Sequence, residues 1–288
     1  MDLPQEEFAL IRDLIYDRTG LMFEDKKRPF LAPRVARRVR AARCDGPRDY
    51  YHLLRYGDPD GREFQELVDQ VTTNETYFFR DYPQLECFAN EVLPQVAEQK
   101  RRAGEYALSV WSACCSTGDE AYTLAIILTA CLDDFKRWDV RLLGTDIDTK
   151  VLAEARKAEY PRRNVKDVAP EYLERYFVPV RDGYRVADPI RKMVAFERLN
   201  LMDADRMGRQ RGFDFVFCRN ALIYFDDASR RRVLGGFHEA LRPGGFVFLG
   251  HSESVGRITR AFEAVQFADG GVVYRKPGGR RLPTGAGA

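Results

Sequence analysis

The stretch WSACCSTGDEAYTLAI, residues 111–126, decides the fold class. It begins as a buried β-strand, turns through small residues and continues as an apolar helix. A strand–loop–helix unit of this kind is typical of Rossmann-like domains, which bind a cofactor at the end of the first strand. The loop has one glycine, Gly118, where a dinucleotide-binding loop has three, and the helix begins with Asp119 and Glu120.

The two acids limit which ligand this loop can hold. A dinucleotide places its pyrophosphate at the helix N-terminus, where backbone amides and the helix dipole attract negative charge. Asp119 and Glu120 would repel a phosphate there, so the loop disfavours NAD and ATP. It favours a ligand without phosphate that carries a positive group, and S-adenosylmethionine fits that description. The alternative is that both acids only cap the helix.

The end of the second predicted strand supports the same ligand. In LLGTDIDTKVLAEA, Asp146 stands where an acid accepts hydrogen bonds from both ribose hydroxyls of a nucleoside. Asp148 suits the cap of the next helix, which leaves Asp146 free, although either acid alone is consistent with a cap. An acid after the first strand and an acid after the second together indicate a methyltransferase.

Composition sets broad limits on the function. The chain has 288 residues, of which 45% are hydrophobic and 31% charged, as in soluble globular proteins of one or two domains. The net charge of +2 does not favour nucleic acid as a partner. No apolar run approaches the roughly 20 residues of a membrane helix, and the acidic N-terminus does not resemble a signal peptide. We therefore predict a cytoplasmic protein.

The cysteines and histidines show no metal-binding spacing. The six cysteines form no CxxC pair and the three histidines are scattered, so we predict reduced cysteines and no metal site.

Strand-like and helical segments alternate after residue 105, which predicts a mostly parallel α/β sheet with helices on both faces. The strand-like segments are YALSVWSA, VRLLGTDI, MVAFERLN, FDFVFCRN and GGFVFLGH. The segment AFEAVQFADGGVVYRK predicts an antiparallel hairpin that turns at residues 269–271. A second hairpin, YFVPVRDGYRVA, turns at Asp182-Gly183 and predicts a small inserted β subdomain.

The first 75 residues have helical periodicity, for example at Phe8, Ile11 and Leu14 before a stop at Gly20. A long helix is expected from about Tyr82 to Arg102. We predict an N-terminal helical domain over 1–75, a connecting segment and helix over 76–105, a Rossmann-like domain over 106–276 with the β subdomain at about 176–190, and a flexible tail over 277–288.

Five segments together resemble the chemotaxis receptor methyltransferases, the CheR family. They are TTNETYFFRD, WSACCSTGDEAYTLAI, GTDIDTKVLAEA, FCRNALIYFD and LRPGGFVFLGHSES, in the order of that family and over nearly the whole chain. The resemblance implies a class I S-adenosylmethionine-dependent methyltransferase with an N-terminal all-helical domain and an inserted antiparallel β subdomain. It implies methylation of glutamate side chains on chemoreceptors for sensory adaptation, giving glutamate methyl esters and S-adenosylhomocysteine.

The resemblance also assigns residues to the cofactor. The matching positions are Asn74, Thr76, Arg80, Glu120, Asp146, Asn200, Leu201, Arg219 and Asn220. In the family, TTNETYFFRD closes over the cofactor and connects the helical domain to the catalytic one. Without the resemblance, the same segment reads as a helix start capped by Thr73 or Asn74, with the following aromatic residues in the core.

The chemistry requires little acid–base assistance. A glutamate nucleophile is already ionised near neutral pH, so the enzyme mainly aligns carboxylate and methyl group and excludes water. We hypothesise that Arg80 holds the incoming carboxylate by charge-assisted hydrogen bonds and that Tyr224 orients it or the donor. The alternative for Tyr224 is a core aromatic residue.

The second helix is strongly basic, and the resemblance implies that the N-terminal domain docks on acidic receptor helices. Arg34, Arg37 and Arg38 are the predicted substrate-binding residues, with Arg40 and Arg43 on the same helix. A solvated cationic face and a nucleic-acid surface are the alternatives. We expect a monomer that reaches the membrane only through the receptor.

The short VRDG turn of the β subdomain predicts an enzyme that does not need the receptor's C-terminal pentapeptide tether. Two other functions remain open: methylation of a signalling protein outside chemotaxis, and a non-catalytic cofactor-binding scaffold.

Overall fold

The structure is a computed structural model that describes residues 3–267 and 272–278. Four α-helices form its N-terminal part, with a 3₁₀ turn at Asp25–Lys27 before the second and a π-helical turn at Leu53–Gly57 after the third. They are α1 Gln5–Thr19, α2 Arg28–Ala41, α3 Pro47–His52 and α4 Arg62–Val71. Helix α1 ends as predicted at Gly20, whose φ of 71° is left-handed and whose N–H bonds the carbonyl of Tyr16. The apolar faces of these helices share one core, which includes Phe8, Leu31 and Leu67.

The helix predicted from Tyr82 to Arg102 is present in three consecutive pieces. They are α5 Tyr82–Cys87, a π-helical turn at Phe88–Val92, and α6 Leu93–Arg102. The segment before it, residues 72–77, is irregular, so the reading of a helix start at Thr73 or Asn74 is wrong. Phe78 and Phe79 are nevertheless buried, as that reading had them. The division into domains at residues 75 and 105 stays a prediction.

A seven-stranded sheet forms the centre of the molecule. Its parallel strands are β1 Ala107–Ala113, β2 Asp139–Asp146, β6 Val194–Arg198, β7 Phe213–Cys218 and β8 Leu241–Leu249, and its antiparallel edge is formed by β9 Glu263–Gln266 and β10 Val272–Arg275. The strand order is β6-β2-β1-β7-β8-β10-β9, so the chain order reverses at β1. The turn predicted at residues 269–271 and residues 279–288 of the predicted tail lie outside the described residues.

Helices cover both faces of the sheet. Helices α7 Asp119–Cys131, α8 Thr149–Lys157 and α12 Asp227–Ala240 contact the strands directly. The shorter helices are α9 Pro170–Tyr176, which packs on the inserted β subdomain, α10 Asp188–Arg191, which packs on α7, and α11 Ala204–Arg209, which packs on α12. Along β7, Phe215 and Phe217 pack on one face with Phe88, whereas Val216 and Cys218 belong to the core on the other face. This alternation gives the three-layer α/β fold that the strand pattern predicts. Within the described residues, no helix has the length and hydropathy to cross a bilayer.

The inserted β subdomain is a three-stranded antiparallel sheet of order β3-β5-β4. Its strands are β3 Glu159–Pro161, β4 Phe177–Val180 and β5 Gly183–Val186. The hairpin is confirmed, but its two turn residues are Arg181 and Asp182, because Gly183 already pairs with Val180 in the ladder. A Cβ at Gly183 would lie 1.9 Å from the carbonyl oxygen of Tyr160. Glycine is therefore required for the close approach of β3 rather than for the turn.

Candidate active site

One cavity opens at the carboxyl ends of β1, β2 and β7, where the strand order reverses. It is lined by every residue predicted for the cofactor and the reaction centre: Asn74, Thr76, Arg80, Glu120, Asp146, Asn200, Leu201, Arg219, Asn220 and Tyr224. Parallel strands bring their carboxyl ends to one edge of the sheet, and the point of reversal leaves a crevice between the loops. The topology alone therefore places the loops after three of the strands beside each other.

Asp146 and Asp148 have different roles after β2. The Asp146 carboxylate accepts the N–H groups of Ser116, at 2.8 Å, and of Asp148, at 2.9 Å, and it faces the cavity. Burial raises the pKa of Asp146 to about 6, although these hydrogen bonds oppose the rise. Asp148 caps α8 by accepting the N–H groups of Lys150 and Val151. The predicted cap by Asp148 is thus confirmed.

The two acids after β1 point in different directions. Asp119 is fully buried, and its carboxylate accepts hydrogen bonds from Thr117, at 2.6 Å, and from the amide of Asn164, at 2.7 Å. It does not line the cavity, whereas Glu120 does. Neither side chain caps α7, so the reading of both acids as helix caps is wrong. Of the two acids expected to repel a phosphate, only Glu120 faces the cavity.

Glu120 is held by a hydroxyl and a guanidinium. Its carboxylate accepts a hydrogen bond from Ser112 at 2.8 Å and lies 3.4 Å from the Arg219 Nη1 atom. Burial raises the pKa of Glu120, and the Arg219 charge lowers it. Arg219 is itself buried, contacts the Asp81 carboxylate at 3.5 Å and donates to the carbonyl of Arg80. Because these contacts use its Nη atoms, Arg219 mainly positions Glu120 and the start of α5.

The segment of residues 72–80 is fixed over the cavity from several sides. The amide of Asn74 donates to the Asp148 carboxylate at 2.8 Å, and the carbonyl of Asn74 accepts a hydrogen bond from the Ser116 hydroxyl at 3.2 Å. Asn164 accepts the N–H of Phe78 and donates to the carbonyl of Thr76. The segment is therefore bound to the loop after β2 through Asp148, to the loop after β1 through Ser116, and to the residues after β3 through Asn164.

Arg80 and Tyr224 line the cavity and are both partly exposed to solvent, and this exposed part of the lining is called the mouth below. The Arg80 guanidinium donates to the carbonyl of Glu75 at 2.5 Å and lies 5.8 Å from the centre of the Tyr77 ring. Tyr224 is 37% exposed, so it is not the core aromatic residue of the alternative reading. Its carbonyl accepts the N–H of Met22 at 2.9 Å. Both side chains are accessible to a substrate that approaches from outside.

The remaining cofactor positions have mixed surroundings. The Asn200 amide donates to the carbonyl of Arg18 at 2.7 Å, and its oxygen accepts the N–H of Met202. Leu201 is buried in the core beside the cavity. Asn220 has a left-handed φ of 59°, which is uncommon for a residue other than glycine. Of these three residues, Asn200 therefore joins the loop after β6 to the end of α1.

The α1–α2 link also lines the cavity, and the sequence reading missed it. Met22, Phe23 and Lys27 belong to the lining, and Leu21 pairs with Phe225 in an isolated antiparallel bridge. The one available signal was the apolar run Leu-Met-Phe in a link between two helices. A surface loop rarely has such a run unless it packs on another part of the chain.

The three arginines predicted to bind the receptor lie outside this cavity and differ in availability. Arg38 forms two hydrogen bonds with the Glu63 carboxylate, at 2.9 and 2.6 Å, and is only 15% exposed. Arg34 donates to the carbonyls of Phe30 and Gln70. Arg37 is exposed and, among the residues that the structure describes, its guanidinium donates to the neutral side chain of Gln70. Receptor binding by Arg34 or Arg38 would have to break internal hydrogen bonds, whereas Arg37 offers its charge to solvent.

Comparison with known families gives one result over both parts of the chain. Residues 74–270 match the family described as CheR methyltransferase, SAM binding domain. Residues 6–72 match the family described as CheR methyltransferase, all-alpha domain.

Curated relatives agree with this match. The chain is 37% identical over 275 residues to chemotaxis protein methyltransferase 2 of Vibrio cholerae, covering 95% of this chain and 94% of the relative. It is 36% identical over 265 residues to the chemotaxis protein methyltransferase of Escherichia coli, covering 90% and 88%. It is 30% identical over 258 residues to that of Borreliella burgdorferi, covering 88% and 90%.

Proposed function

The chain belongs to the CheR methyltransferase family, and from this premise we propose that it methylates glutamate side chains of chemoreceptors for sensory adaptation. The enzyme is an S-adenosylmethionine-dependent methyltransferase. The products of the proposed reaction are a glutamate methyl ester and S-adenosylhomocysteine. The observation that carries the proposal is the cavity, which combines the buried carboxylate of Asp146 and the half-buried carboxylate of Glu120 with an arginine and a tyrosine at its mouth.

The polar groups of the cavity suit this cofactor. Asp146 and Glu120 present carboxylates to the cavity, which match a ligand with ribose hydroxyls and a positive charge and oppose a phosphate. We propose that Asp146 accepts the ribose hydroxyls and that Glu120 faces the ammonium group. Asn74, Thr76, Asn200, Leu201, Arg219 and Asn220 complete the proposed cofactor site. The bound cofactor supplies an activated methyl group on a sulfonium.

Arg80 and Tyr224 are the proposed reaction-centre residues. An incoming glutamate is ionised near neutral pH, so the protein has to orient it rather than deprotonate it. The Arg80 guanidinium has N–H donors that can hold the glutamate carboxylate. The Tyr224 hydroxyl, on the loop after β7, can orient the same carboxylate by a further hydrogen bond. The segment of residues 72–80 lines the cavity, and we propose that it limits the access of water to the reacting groups.

Receptor binding is proposed for the exposed part of the basic helix. Arg37 and Arg40 of α2 are exposed, and so is Arg43, which was expected on the same helix but follows its end at Ala41 with a left-handed φ of 58°. An acidic receptor helix would complement their charge. The two-residue turn of the β subdomain offers little surface to grip a peptide tether, so we propose that methylation is independent of the receptor's C-terminal pentapeptide. Deleting that pentapeptide should leave the methylation rate unchanged. A large loss of rate would contradict this part of the proposal.

The proposed reaction is tested with tritiated S-adenosylmethionine, purified enzyme and membranes that contain chemoreceptors. Label released as volatile methanol in mild alkali reports methyl esters, because N-methyl groups do not hydrolyse there. We expect alkali-labile label with the wild-type enzyme and none with an Asp146→Ala variant. Cofactor binding without labile label would favour another signalling protein as the substrate, or a scaffold.

The reaction centre is tested in the same assay. Arg80→Ala and Tyr224→Phe should both lower turnover at saturating cofactor. Full turnover in both variants would show that neither residue acts on the reacting groups.

A further inference from the structure

The motif HSES after β8 has no role in the site described so far, yet its glutamate contacts that site directly. The Glu253 Oε2 atom accepts the N–H of Asn220 at 3.0 Å and the N–H of Gly250 at 2.6 Å. Its Oε1 atom accepts the N–H of Ile223 at 3.2 Å. One carboxylate therefore joins the end of β8 to the β7–α12 loop, which comprises residues 219–226.

The β7–α12 loop carries three of the proposed site residues: Arg219, Asn220 and Tyr224. Asn220 is held in the left-handed region, which is strained for a residue other than glycine and persists only where surrounding contacts impose it. Two amides of this loop, those of Asn220 and Ile223, donate to Glu253. The carboxylate thus joins two N–H groups of the loop to the end of β8, in addition to the hydrogen bonds that the loop forms at Leu222 and Tyr224.

The packing around this carboxylate is too close to admit another side chain. A Cβ at Gly250 would lie 2.7 Å from the Asn220 nitrogen and 2.8 Å from Glu253 Oε2. Glycine at this position therefore lets the loop, the carboxylate and the end of β8 meet. Hydrogen bonds from amides to an ionised acceptor are short and stronger than neutral ones, which suits a contact that has to fix a conformation.

The position of Glu253 is unfavourable for its neighbour. Burial raises the pKa of Glu120, and the negative charge of Glu253 adds to that rise. A residue that served only to fill space would not need a charge beside another carboxylate. The charge is instead explained by the amides of the β7–α12 loop that it binds.

We propose that Glu253 is a positioning residue for methyl transfer, which fixes the β7–α12 loop so that Asn220 and Tyr224 meet donor and acceptor together. This inference rests on the function proposed above. A displacement of about 1 Å in such a loop can lower a rate by about 100-fold without unfolding the protein. We therefore expect the loss in kcat and in cofactor affinity rather than in the KM for the receptor.

The test compares Glu253→Gln and Glu253→Ala with a matched control, Asp58→Asn. Asp58 also accepts two backbone N–H groups, those of Glu63 and Phe64, but it does not line the cavity. We expect kcat to fall about 10-fold in Glu253→Gln, which keeps one acceptor oxygen, and about 100-fold in Glu253→Ala. The control should lose thermal stability and keep its kcat.

A purely structural role would give a different pattern. It would lower the Tm of both Glu253 variants, as in the control, and leave kcat and the Kd for S-adenosylmethionine within twofold of wild type. Glu253→Gln decides the question if Glu253→Ala does not fold.

If wild-type enzyme binds the cofactor and labels no receptor, the proposed function fails, and the Kd of Glu253→Gln for S-adenosylmethionine still tests the positioning role. An unchanged Kd would then overturn it.

Discussion

The carboxyl edge of the sheet and the basic face of α2 both concentrate charged residues, but the two regions use them differently. At the sheet edge, the buried Asp146 and the half-buried Glu120 are held by neighbouring donors and face a cavity. On α2, Arg34 and Arg38 direct their donors to α4 or to their own helix, and Arg37 remains exposed. The first region brings its charges together, and the second divides them between the interior and the surface.

The difference comes from the geometry of the two elements. Parallel strands end at one edge, so residues that follow different strands converge wherever the strand order reverses. A helix distributes consecutive residues around its axis, and residues four apart share a side. Arg34 and Arg38 therefore share the side that packs on α4, where Glu63 and Gln70 receive them. A cluster of arginines in a helical sequence is thus not one surface.

The largest expected effect lies at the sheet edge, in Asp146→Asn. The substitution removes the charge that faces the cavity and places an amide N–H₂ against one of two backbone donors, Ser116 or Asp148. We expect the Kd for S-adenosylmethionine to rise about 100-fold, or about 2.7 kcal/mol, as measured by calorimetry. Asp58→Asn is the matched control, since Asp58 also accepts two backbone N–H groups and does not line the cavity. Equal losses of cofactor affinity in both variants would contradict a direct role of Asp146 in cofactor binding.

Much of the fold was predictable because each signal was local. Alternating strands and helices, the stop at Gly20 and the cap by Asp148 each follow from a few neighbouring residues. The need for Gly183 was not predictable in this way, because it depends on the carbonyl of Tyr160 across a different strand. The orientation of Asp119 depends likewise on Asn164, 45 residues away.

The candidate site shows the same limit. Glu120 and Asp146 stand at strand ends and were open to direct reasoning, whereas Asn200 was found only through the family resemblance. Met22 was missed altogether, because its place in the lining depends on a contact with a distant segment. Its N–H donates to the carbonyl of Tyr224 at 2.9 Å, and the two residues are 202 positions apart in the chain. Contacts between distant segments leave no periodic trace in either segment.

The next effect concerns the interior side of α2. Arg38→Ala removes the partner of the Glu63 carboxylate, which lies in a part-buried site beside the Tyr50 hydroxyl. We expect the free energy of unfolding to fall by about 2 kcal/mol in urea denaturation, because the carboxylate loses its charged donor. Arg37→Ala should change it by less than about 0.5 kcal/mol. A similar stability for both variants would contradict the division of the basic face.

A smaller effect is expected from pH at the sheet edge. The pKa of Asp146 is raised to about 6 by burial, so the carboxyl is ionised at pH 7 and mostly protonated at pH 5. Because ribose hydroxyls need an acceptor, we expect the Kd for S-adenosylmethionine to rise about tenfold between pH 7 and pH 5. The free energy of unfolding changes in the opposite direction. Because the pKa of Asp146 is raised in the folded state, its protonation stabilises the fold as the pH falls through 6. In Asp146→Asn the tenfold change of the cofactor Kd between pH 7 and pH 5 should disappear. If the variant kept the same pH dependence of Kd as wild type, another titrating group would be responsible for it.

The smallest effect belongs to the exposed side of α2. Arg37→Ala removes a charge that solvent and salt already screen, so we expect the KM for the receptor to rise only about two- to fivefold at low ionic strength. The rise should shrink as salt is added, whereas kcat stays at the wild-type value. Arg102→Ala, an exposed charge at the end of α6, controls for the change in net charge. If Arg37→Ala and Arg102→Ala changed KM equally, the basic face would act only through the overall charge of the protein, and the receptor would have to bind through another surface.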